Sequence, residues 1–235
     1  MYSLSAELYD VIYQGRDYFS DAAKLKNLFG RLKESSGKTL LDVACGTGCH
    51  LQQFAEEFDC MGVELTQEMA ELARRKLPLV PIHLGDMRDF DLGQEFDIVL
   101  CLFSSIGYMK TFAELRTAAE NLIRHLAPGG ILIVEPWLRS DSYTAGFLSA
   151  SLVDLPELKI CRMMRSEREG SLSIMDMHHM VTRPSGVTYF VERHEMGLFT
   201  DQEYFTAFSA EGFRTEISTE SLTQERGLII VTRKP

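Results

Sequence analysis

The segment 40–48, Leu-Leu-Asp-Val-Ala-Cys-Gly-Thr-Gly, constrains the fold of this 235-residue chain more than any other stretch. An apolar strand runs directly into a turn with two glycines, and a helical pattern follows. Glycines at such a turn permit a tight bend and let a ligand approach the backbone closely. A dinucleotide-binding loop has a third glycine where Leu51 stands here, and a P-loop needs a Gly-Lys-Ser/Thr that this sequence lacks. The segment therefore argues against a dehydrogenase and a P-loop enzyme, although by itself it also fits a plain strand-to-helix turn.

Short apolar runs continue to alternate with amphipathic stretches as far as residue 137. Predicted strands cover 39–44, 61–64, 80–84, 96–102 and 131–134. Predicted helices cover 48–58, 67–76 and 112–125, and residues 1–37 have a helical pattern with an aromatic-rich start. Continuous apolar strands that alternate with helices indicate an α/β fold, in which a parallel sheet is covered on both faces.

The pattern changes after Trp137. Antiparallel strands are predicted over 159–165, 172–182 and 187–198, because Gly170 and the segment 184–186 supply turn residues between them. A helix over 201–211 and strands near 214–219 and 228–232 resume the α/β pattern. We therefore predict a single domain over 1–235, made of a helical lid at 1–37, a Rossmann-like core at 38–137 and 200–235, and an inserted antiparallel sheet at 138–199.

Composition limits the classes of function and the cellular location. The formal net charge of −10 disfavours nucleic-acid substrates, because Lys and Arg bind phosphate backbones. The sequence has neither a run of eighteen apolar residues nor the pattern of a signal peptide, so we expect a cytoplasmic protein that does not enter a membrane. The five cysteines form no CxxC pair, and we expect them to be reduced, with a zinc site as the weaker alternative; we predict no metal.

Two acidic residues end the second and third predicted strands. Glu64 stands where a carboxylate can accept hydrogen bonds from both ribose hydroxyls of a nucleoside. Asp86 stands where a carboxylate can accept a hydrogen bond from an adenine amino group. Their plainer interpretations are a solvated glutamate and an aspartate that caps a turn. Ligands of open α/β sheets bind at the carboxyl ends of the strands, so both side chains would share one rim with Asp42, Gly46 and Phe103.

Together, the motifs over about residues 39–136 and the last two strands resemble the class I S-adenosylmethionine-dependent methyltransferases. The resemblance implies a seven-stranded, mostly parallel sheet, with S-adenosylmethionine as cofactor and S-adenosylhomocysteine as its product. It implies that Gly46 and Gly48 border the amino-acid part of the cofactor and that Glu64 holds the ribose. The other residues expected to contact the cofactor are Asp42, Ala44, Leu65, Asp86, Met87 and Phe103.

A narrower resemblance runs along nearly the whole chain. The chain is similar to the N,N-dimethyltransferases that act on the 3-amino group of nucleotide-linked deoxysugars, as in desosamine and mycaminose biosynthesis. The similarity rests on the order and spacing of Tyr9-Asp10 through Arg16, LLDVACGTG, GDMRDF (85–90), FSSIGY (103–108), PGG (128–130), VEPW (134–137), REG (168–170), LF (198–199) and RGL (226–228). It implies a small-molecule acceptor such as a dTDP-3-amino-3,6-dideoxyhexose, and a homodimer formed through the inserted sheet.

The narrower resemblance also implies roles for individual side chains. Tyr13, Arg16 and Tyr18 would close over the cofactor, with the Arg16 guanidinium on its carboxylate. The residues expected around the reacting amine are Tyr13, Tyr108, Glu135, Asp176 and His178. Those expected to hold the sugar or its diphosphate are Trp137, Arg139, His194 and Arg226, with Arg165 behind them. His178 and His179 are adjacent on a strand, so only one of them can face the site, and the resemblance favours His178; a structural histidine remains the alternative.

Three departures from this group keep other acceptors open. Residues 138–140 replace an aromatic–proline stretch, residues 222–225 replace a Gly-Pro-Ser-Gly loop, and Tyr108 stands where some members have histidine. The alternatives are O- or C-methylation of another small metabolite, and a cofactor-binding protein without activity. An RNA or protein methyltransferase is disfavoured, since Phe103-Ser104-Ser105-Ile106 replaces an Asn/Asp-Pro-Pro-aromatic motif. Because the methyl group arrives activated, we expect positioning of the amine to dominate catalysis, without one indispensable base.

Overall fold

Each apolar run between residues 39 and 134 forms a strand, and the amphipathic stretches form the connecting helices. The computed structural model describes residues 6–222 and 226–235. Its helices are α1 (Tyr9–Ile12), α2 (Tyr18–Leu32), α3 (Cys49–Gln52), α4 (Gln67–Lys76), α5 (Phe112–Arg124) and α6 (Asp201–Phe208). Its strands are β1 (Thr39–Val43), β2 (Asp59–Glu64), β3 (Ile82–Leu84), β4 (Phe96–Cys101), β5 (Leu126–Val134), β6 (Leu148–Leu155), β7 (Leu158–Glu169), β8 (Leu172–Arg183), β9 (Gly186–Gly197), β10 (Phe213–Ser218) and β11 (Leu228–Arg233).

Seven strands form the main sheet in the order β10-β11-β5-β4-β1-β2-β3. Strands β1 to β5 pair in parallel, whereas β11 is antiparallel to both β5 and β10. Alternate residues of β1 enter separate cores, with Leu41 and Val43 on one face and Leu40 on the other. The predicted α/β fold with a seven-stranded, mostly parallel sheet is thus confirmed. The chain order reverses between the neighbouring strands β1 and β4, and such a reversal opens a crevice at the carboxyl ends of the strands.

The other four strands form a separate antiparallel sheet in the order β6-β7-β8-β9. One face of this sheet is buried and carries residues such as Ser173, Met175 and Met196. The opposite face is exposed and carries large apolar side chains such as Met163 and Met180. The inserted antiparallel sheet is therefore confirmed. One of its faces packs against the rest of the protein, and the other is exposed.

Side-chain caps set where three of the helices begin. The Asp17 carboxylate accepts a hydrogen bond from the backbone amide of Ser20 at 2.9 Å, at the start of α2. Helix α5 starts with a capping box between Thr111 and Glu114, and α6 with the equivalent pair Thr200 and Glu203. These caps satisfy amides that helix ends leave without partners, and they fix the residues at which the three helices begin.

The structure corrects several predicted boundaries. The helix predicted over 48–58 is regular only over Cys49–Gln52 and continues as turns, and the last helix ends at Phe208 rather than at 211. The antiparallel strands are longer than predicted, and β6 was not predicted at all. The helical lid predicted over 1–37 and the departure noted at 222–225 fall partly on residues 1–5 and 223–225, which lie outside the described residues. No helix within 6–222 or 226–235 has the length and apolar character needed to cross a membrane.

Candidate functional site

The two glycines of the loop after β1 have different surroundings. Gly46 has a φ of 57°, and a Cβ atom placed there would meet no atom within 4 Å, so its backbone borders open space. Gly48 has a φ of 78°, and its Cβ would lie 3.0 Å from the Leu77 side chain and 3.5 Å from that of Ala73. Gly46 therefore leaves room for a ligand, whereas Gly48 allows the loop to pack closely against α4 and the residue that follows it.

Glu64 fixes this loop from the neighbouring strand. One carboxylate oxygen accepts a hydrogen bond from the backbone amide of Gly46 at 3.0 Å. The other oxygen accepts from the amide of Thr66 at 2.9 Å and from its hydroxyl at 3.0 Å. The side chain is nearly buried but still lines the crevice, so a charged acceptor is held at the strand end.

A cavity of about 560 Å³ lies at the carboxyl ends of β1 to β4, between the main sheet, the N-terminal helices and the buried face of the antiparallel sheet. Part of its wall comes from the main sheet, and we call this part the strand-end half; it includes Ala44, Gly46, Glu64, Leu65, Thr66, Met69, Gly85, Asp86, Met87 and Arg88. We call the other part the insert half; it includes Tyr108, Trp137, Met164, Met175, Met177, His194, Met196 and Arg226. Tyr9, Tyr13 and Phe103 also line the cavity.

The acidic residues of the strand-end half differ in their surroundings. Asp86 is bonded to Arg88, which donates to its two oxygens at 3.0 and 2.6 Å, and these bonds hold the pKa of Asp86 below its usual value. Asp42 lies inside the sheet and does not line the cavity. Burial, and then the negative charge of Glu64, raise the pKa of Asp42 to about 8. Asp42 is therefore a buried neighbour of the site rather than a part of its wall.

Aromatic rings from the N-terminal helix and from the end of β4 meet at one side of the cavity. The centroids of the Tyr13 and Phe103 rings are 5.1 Å apart in an edge-to-face arrangement, and those of Tyr9 and Tyr13 are 4.7 Å apart. Arg162 of β7 donates to the Tyr13 hydroxyl at 3.0 Å. The antiparallel sheet thus contacts the N-terminal helix directly at the ring that was predicted to cover the cofactor.

Arg16 and Glu135 lie together behind Phe103. The Arg16 guanidinium carbon is 4.4 Å from the centroid of the Phe103 ring, and its Nη2 is 2.8 Å from Asp21 and 3.7 Å from Glu135. Within the described ranges, Arg16 Nε is buried and has no hydrogen-bond partner. Glu135 is fully buried and accepts from the backbone amide of Phe103 at 2.8 Å. Neither side chain lines the cavity, and Glu135 holds the loop after β4.

Tyr108 and His194 form a polar pair in the insert half. The Tyr108 hydroxyl is 2.8 Å from His194 Nδ1, which connects the turn after β4 to β9. Burial lowers the pKa of His194 to about 4, so the imidazole is neutral near pH 7. A neutral imidazole can accept a hydrogen bond from the phenol through Nδ1, and the Tyr108 oxygen can then accept a hydrogen bond from a ligand.

Arg226 is the basic side chain held most firmly in the insert half. Its guanidinium carbon is 4.6 Å from the centroid of the Trp137 ring, and its Nη1 donates to the Ser104 hydroxyl at 2.7 Å. Burial lowers the pKa of Arg226, but a guanidinium keeps its charge at neutral pH. A stacked, oriented guanidinium in a cavity is suited to an anionic ligand group.

The structure brings most of the predicted site residues to one cavity. The predicted residues that line it are Tyr13, Ala44, Gly46, Glu64, Leu65, Asp86, Met87, Phe103, Tyr108, Trp137, His194 and Arg226. Those that do not are Arg16, Tyr18, Asp42, Gly48, Glu135, Arg139, Asp176 and His178. Tyr18 packs its ring edge-to-face against His50, with centroids 4.8 Å apart, and so lies behind the wall.

The structure does not bring His178 and Asp176 to the cavity. Both lie on the exposed face of the antiparallel sheet, where His178 Nδ1 is 2.7 Å from the Tyr189 hydroxyl and Asp176 is 3.3 Å from Arg193. The neighbouring His179 is buried but also outside the cavity, with its ring stacked on Phe190. The residues of β8 that do face the cavity are Met175 and Met177, because side chains alternate along a strand.

The predicted role of Arg139 is not supported by its position. Its guanidinium binds the Asp201 carboxylate and lies 5.0 Å from the centroid of the Tyr204 ring, away from the cavity. Arg165 is exposed and pairs with Glu167. Prediction from the sequence missed Tyr9, Thr66, Met69, Arg88, Lys110 and the methionines of the insert half. The motif GDMRDF already contained Arg88, but nothing in the sequence alone assigned a face to the methionines.

Comparison with known proteins agrees with this geometry. Residues 40–130 match the family model described as a methyltransferase domain. The chain is 42% identical over 229 residues to the dTDP-3-amino-3,4,6-trideoxy-alpha-D-glucopyranose N,N-dimethyltransferase of Streptomyces venezuelae, and the match covers 96% of each chain.

Solved structures extend the match to the whole fold. The crystal structure of Streptomyces venezuelae DesVI superposes with a TM-score of 0.90 at 39% identity, covering 97% of this chain and 98% of that one. CalS10 of Micromonospora echinaspora, an amino pentose methyltransferase solved with S-adenosylmethionine bound, gives a TM-score of 0.87 at 36% identity and covers 97% of both chains. This chain therefore belongs to the S-adenosylmethionine-dependent methyltransferases, in the family of the dTDP-amino-sugar N,N-dimethyltransferases.

Proposed function

We propose that this chain transfers methyl groups from S-adenosylmethionine to the amino group of a dTDP-linked amino deoxyhexose and forms the N,N-dimethyl product. The observation that carries the proposal is the cavity itself. It joins a strand-end half with Gly46 and Glu64 to an insert half with a hydroxyl–imidazole pair and a stacked guanidinium. The first half suits a nucleoside cofactor, and the second suits an acceptor with a polar amine at one end and an anion at the other.

Three features of the chain fit S-adenosylmethionine. The open space beside Gly46 gives room for its amino-acid part, and the Glu64 carboxylate is placed to accept from its ribose hydroxyls. Arg16, which lies behind Phe103 and not in the cavity wall, supplies a buried guanidinium whose Nε has no hydrogen-bond partner in the described ranges, and we propose that it reaches the cofactor carboxylate beside that ring. When bound, the cofactor supplies a methyl group already activated on a sulfonium sulfur.

The chain's own residues would then position the acceptor. The Tyr108 oxygen accepts a hydrogen bond from the amine, which directs the nitrogen lone pair toward the strand-end half. The neutral imidazole of His194 accepts a hydrogen bond from the Tyr108 hydroxyl, so the lone pairs of the phenol oxygen stay available to the amine. The N–C bond would form as the methyl–sulfur bond breaks, S-adenosylhomocysteine would leave, and the surplus proton on the nitrogen would pass to water. Alignment of the nucleophile supplies most of the acceleration.

Mass spectrometry tests the proposal directly. The protein is incubated with S-adenosylmethionine and a dTDP-3-amino-3,6-dideoxyhexose or its 4-deoxy counterpart, and the product sugar is weighed. We expect a gain of two methyl groups with at least one of them. No gain with either sugar, while calorimetry detects cofactor binding, would refute a 3-amino deoxyhexose acceptor and leave the cofactor assignment intact.

Tyr108→Phe is expected to lower kcat about tenfold without abolishing turnover, because the variant loses one hydrogen bond that positions the amine.

His178→Asn tests the corrected placement and is expected to leave kcat within about twofold, since His178 faces solvent on the other side of the sheet. Steady-state assays of both variants on the same acceptor provide the measurement. A loss of more than about 10⁴-fold in Tyr108→Phe would instead indicate base catalysis by Tyr108.

A homodimer is also proposed, formed through the exposed face of the antiparallel sheet. That face carries apolar side chains that are more than half exposed, among them Leu148, Leu152, Met163, Met180, Val187 and Tyr189. Contiguous exposed apolar side chains of this kind mark interaction surfaces. Sedimentation equilibrium tests this, because a mass near 26.6 kDa would contradict the dimer. The five cysteines are free, which fits the reducing cytoplasm that we propose as the protein's location.

A further inference from the structure

Four titratable side chains form a buried cluster behind Phe103. The side chains of Arg16, Asp21, His50 and Glu135 are between 0 and 11% exposed. They come from the segment before α2, from α2 itself, from α3 and from the end of β5. We call these four residues the buried cluster. The function proposed above uses only Arg16 among them.

The guanidinium of Arg16 is held by charge and keeps N–H groups unused. Its Nη2 is 2.8 Å from Asp21 Oδ2 and 3.7 Å from a carboxylate oxygen of Glu135. Within the described residues, however, neither Nε nor Nη2 directs an N–H bond at an acceptor. Buried donors of this kind nearly always have a partner when a site is filled. Arg16 is therefore fixed in position and still able to bind an anion.

Asp21 is the carboxylate best suited to fix Arg16. His50 Nε2 lies 3.3 Å from Oδ2, the same oxygen that contacts Arg16. Burial raises the pKa of Asp21, but the hydrogen bond from His50 and the charge of Arg16 outweigh this effect and hold the pKa below its usual value. Burial lowers the pKa of His50, so the imidazole is neutral near pH 7 and donates to Asp21 when its proton is on Nε2. Asp21 is thus an ionised carboxylate with a fixed place in the first turn of α2.

Glu135 has a different task in the same cluster. It accepts a hydrogen bond from the backbone amide of Phe103 at 2.8 Å and so holds the loop that carries this ring. The guanidinium carbon of Arg16 lies 4.4 Å from the centroid of the ring, which lines the cavity. Glu135 therefore places the ring, and Asp21 places the guanidinium beside it. Without the charge of Asp21, the attraction of Glu135 would draw the guanidinium toward β5.

We infer that Asp21 is a positioning residue for S-adenosylmethionine: it holds the Arg16 guanidinium beside Phe103, where the unused N–H groups reach the cofactor carboxylate. This inference rests on the contact between Arg16 and the cofactor that is proposed above. Asp21 does not line the cavity, so it acts through Arg16 and not on the cofactor itself. Because a guanidinium binds a carboxylate through directed hydrogen bonds, a small displacement weakens the contact.

The test compares two ligands that differ in one group. Calorimetry gives the Kd of S-adenosylhomocysteine and of decarboxylated S-adenosylhomocysteine, which lacks only the carboxylate. Asp21→Asn keeps the shape of the side chain and removes its charge. We expect this variant to bind S-adenosylhomocysteine about tenfold more weakly and the decarboxylated ligand within about twofold of the unaltered protein, since only the first has a group for Arg16. Equal weakening of both ligands, or of neither, would overturn the inference.

Further variants make the result specific to the cluster. Arg16→Ala is also expected to weaken S-adenosylhomocysteine alone, and adding Asp21→Asn to it should cause no further loss, because the two residues act as one unit. Asp59→Asn makes the same change at the exposed start of β2, and both Kd values should stay within about twofold. Asp21→Ser repeats the test if Asp21→Asn does not fold.

The outcomes separate the inference from the function on which it rests. If Arg16→Ala leaves the Kd of S-adenosylhomocysteine unchanged, the proposed contact of Arg16 fails, and the inference fails with it. If Arg16→Ala weakens this ligand alone while a folded Asp21→Asn protein binds it normally, only the inference fails. Neither result depends on the acceptor, so methyl transfer to an amino sugar is judged separately by mass spectrometry.

Discussion

Replacing Glu64 by alanine is expected to weaken S-adenosylmethionine binding by about 100-fold or more. Two hydrogen bonds from ribose hydroxyls to a charged carboxylate are worth roughly 1.5–3 kcal/mol each, and every 1.4 kcal/mol is about a factor of ten. The substitution also removes the acceptor of the Gly46 and Thr66 amides, so the loop loses its anchor. Isothermal titration calorimetry measures the change in Kd.

Two further variants separate cofactor binding from stability in this experiment. Glu68→Ala changes an exposed glutamate near the start of α4 and is expected to leave the Kd within about twofold. Glu64→Gln keeps the shape but replaces one carboxylate oxygen by a donor, which then faces an amide, so its affinity should fall as well. Thermal unfolding without cofactor shows how much of the loss comes from the loop. An unchanged Kd in a folded Glu64→Ala protein would be incompatible with ribose binding by this residue.

Replacing Arg226 by alanine is expected to lower kcat/KM for the nucleotide-linked sugar by about 100-fold, because loss of one partner from a desolvated charge pair costs 2–5 kcal/mol. The effect should fall mainly on KM, since Arg226 lies beside Trp137 and Ser104 in the insert half and away from Glu64. Steady-state kinetics with varied sugar and saturating cofactor provide the measurement, with the cofactor Kd as an independent check.

The matched control for Arg226 is Arg214→Ala. Arg214 has a side chain that is 80% exposed on β10, so both kinetic constants should remain near those of the unaltered protein. Arg226→Lys keeps the charge but loses the planar fork and the stacking on Trp137, and an intermediate KM is expected. If Arg226→Ala raised the cofactor Kd and left the sugar KM unchanged, the assignment of Arg226 to the acceptor would be wrong.

The strand-end half could be predicted from the sequence because its signals are local. Gly46 and Glu64 each stand directly after or at the end of an apolar run, and in a parallel sheet such positions meet at one edge. The same reasoning found Asp86, whereas Met87 was expected from the family resemblance. It also included Asp42, which lies within β1 and is buried outside the cavity wall. The surroundings of Gly48 could not be predicted either, because its distance from the Leu77 side chain depends on how α4 packs.

The insert half could not be predicted in the same way. Successive side chains of a strand point to opposite faces of the sheet. An error of one residue in the register therefore assigns every side chain to the wrong face. His178 was expected to face the site, but Met175 and Met177 have that position. Strand β6 was missed because most of its residues are exposed and its apolar alternation is weak. Arg139 and Arg226 are both arginines near predicted site segments, and only the partners Asp201 and Trp137 separate their roles.

The main sheet and the antiparallel sheet are separate hydrogen-bonded units. Among the described residues, no strand of the β6–β9 ladder pairs with a strand of the main sheet, and a single bridge joins Arg139 to Phe199 nearby. Substitutions in the antiparallel sheet therefore leave the strand pairing of the main sheet, which carries Gly46 and Glu64 at its rim, without a direct change. Grafting residues 148–197 between relatives would therefore exchange the antiparallel sheet's share of the cavity wall and leave Tyr108, Trp137 and Arg226 in place.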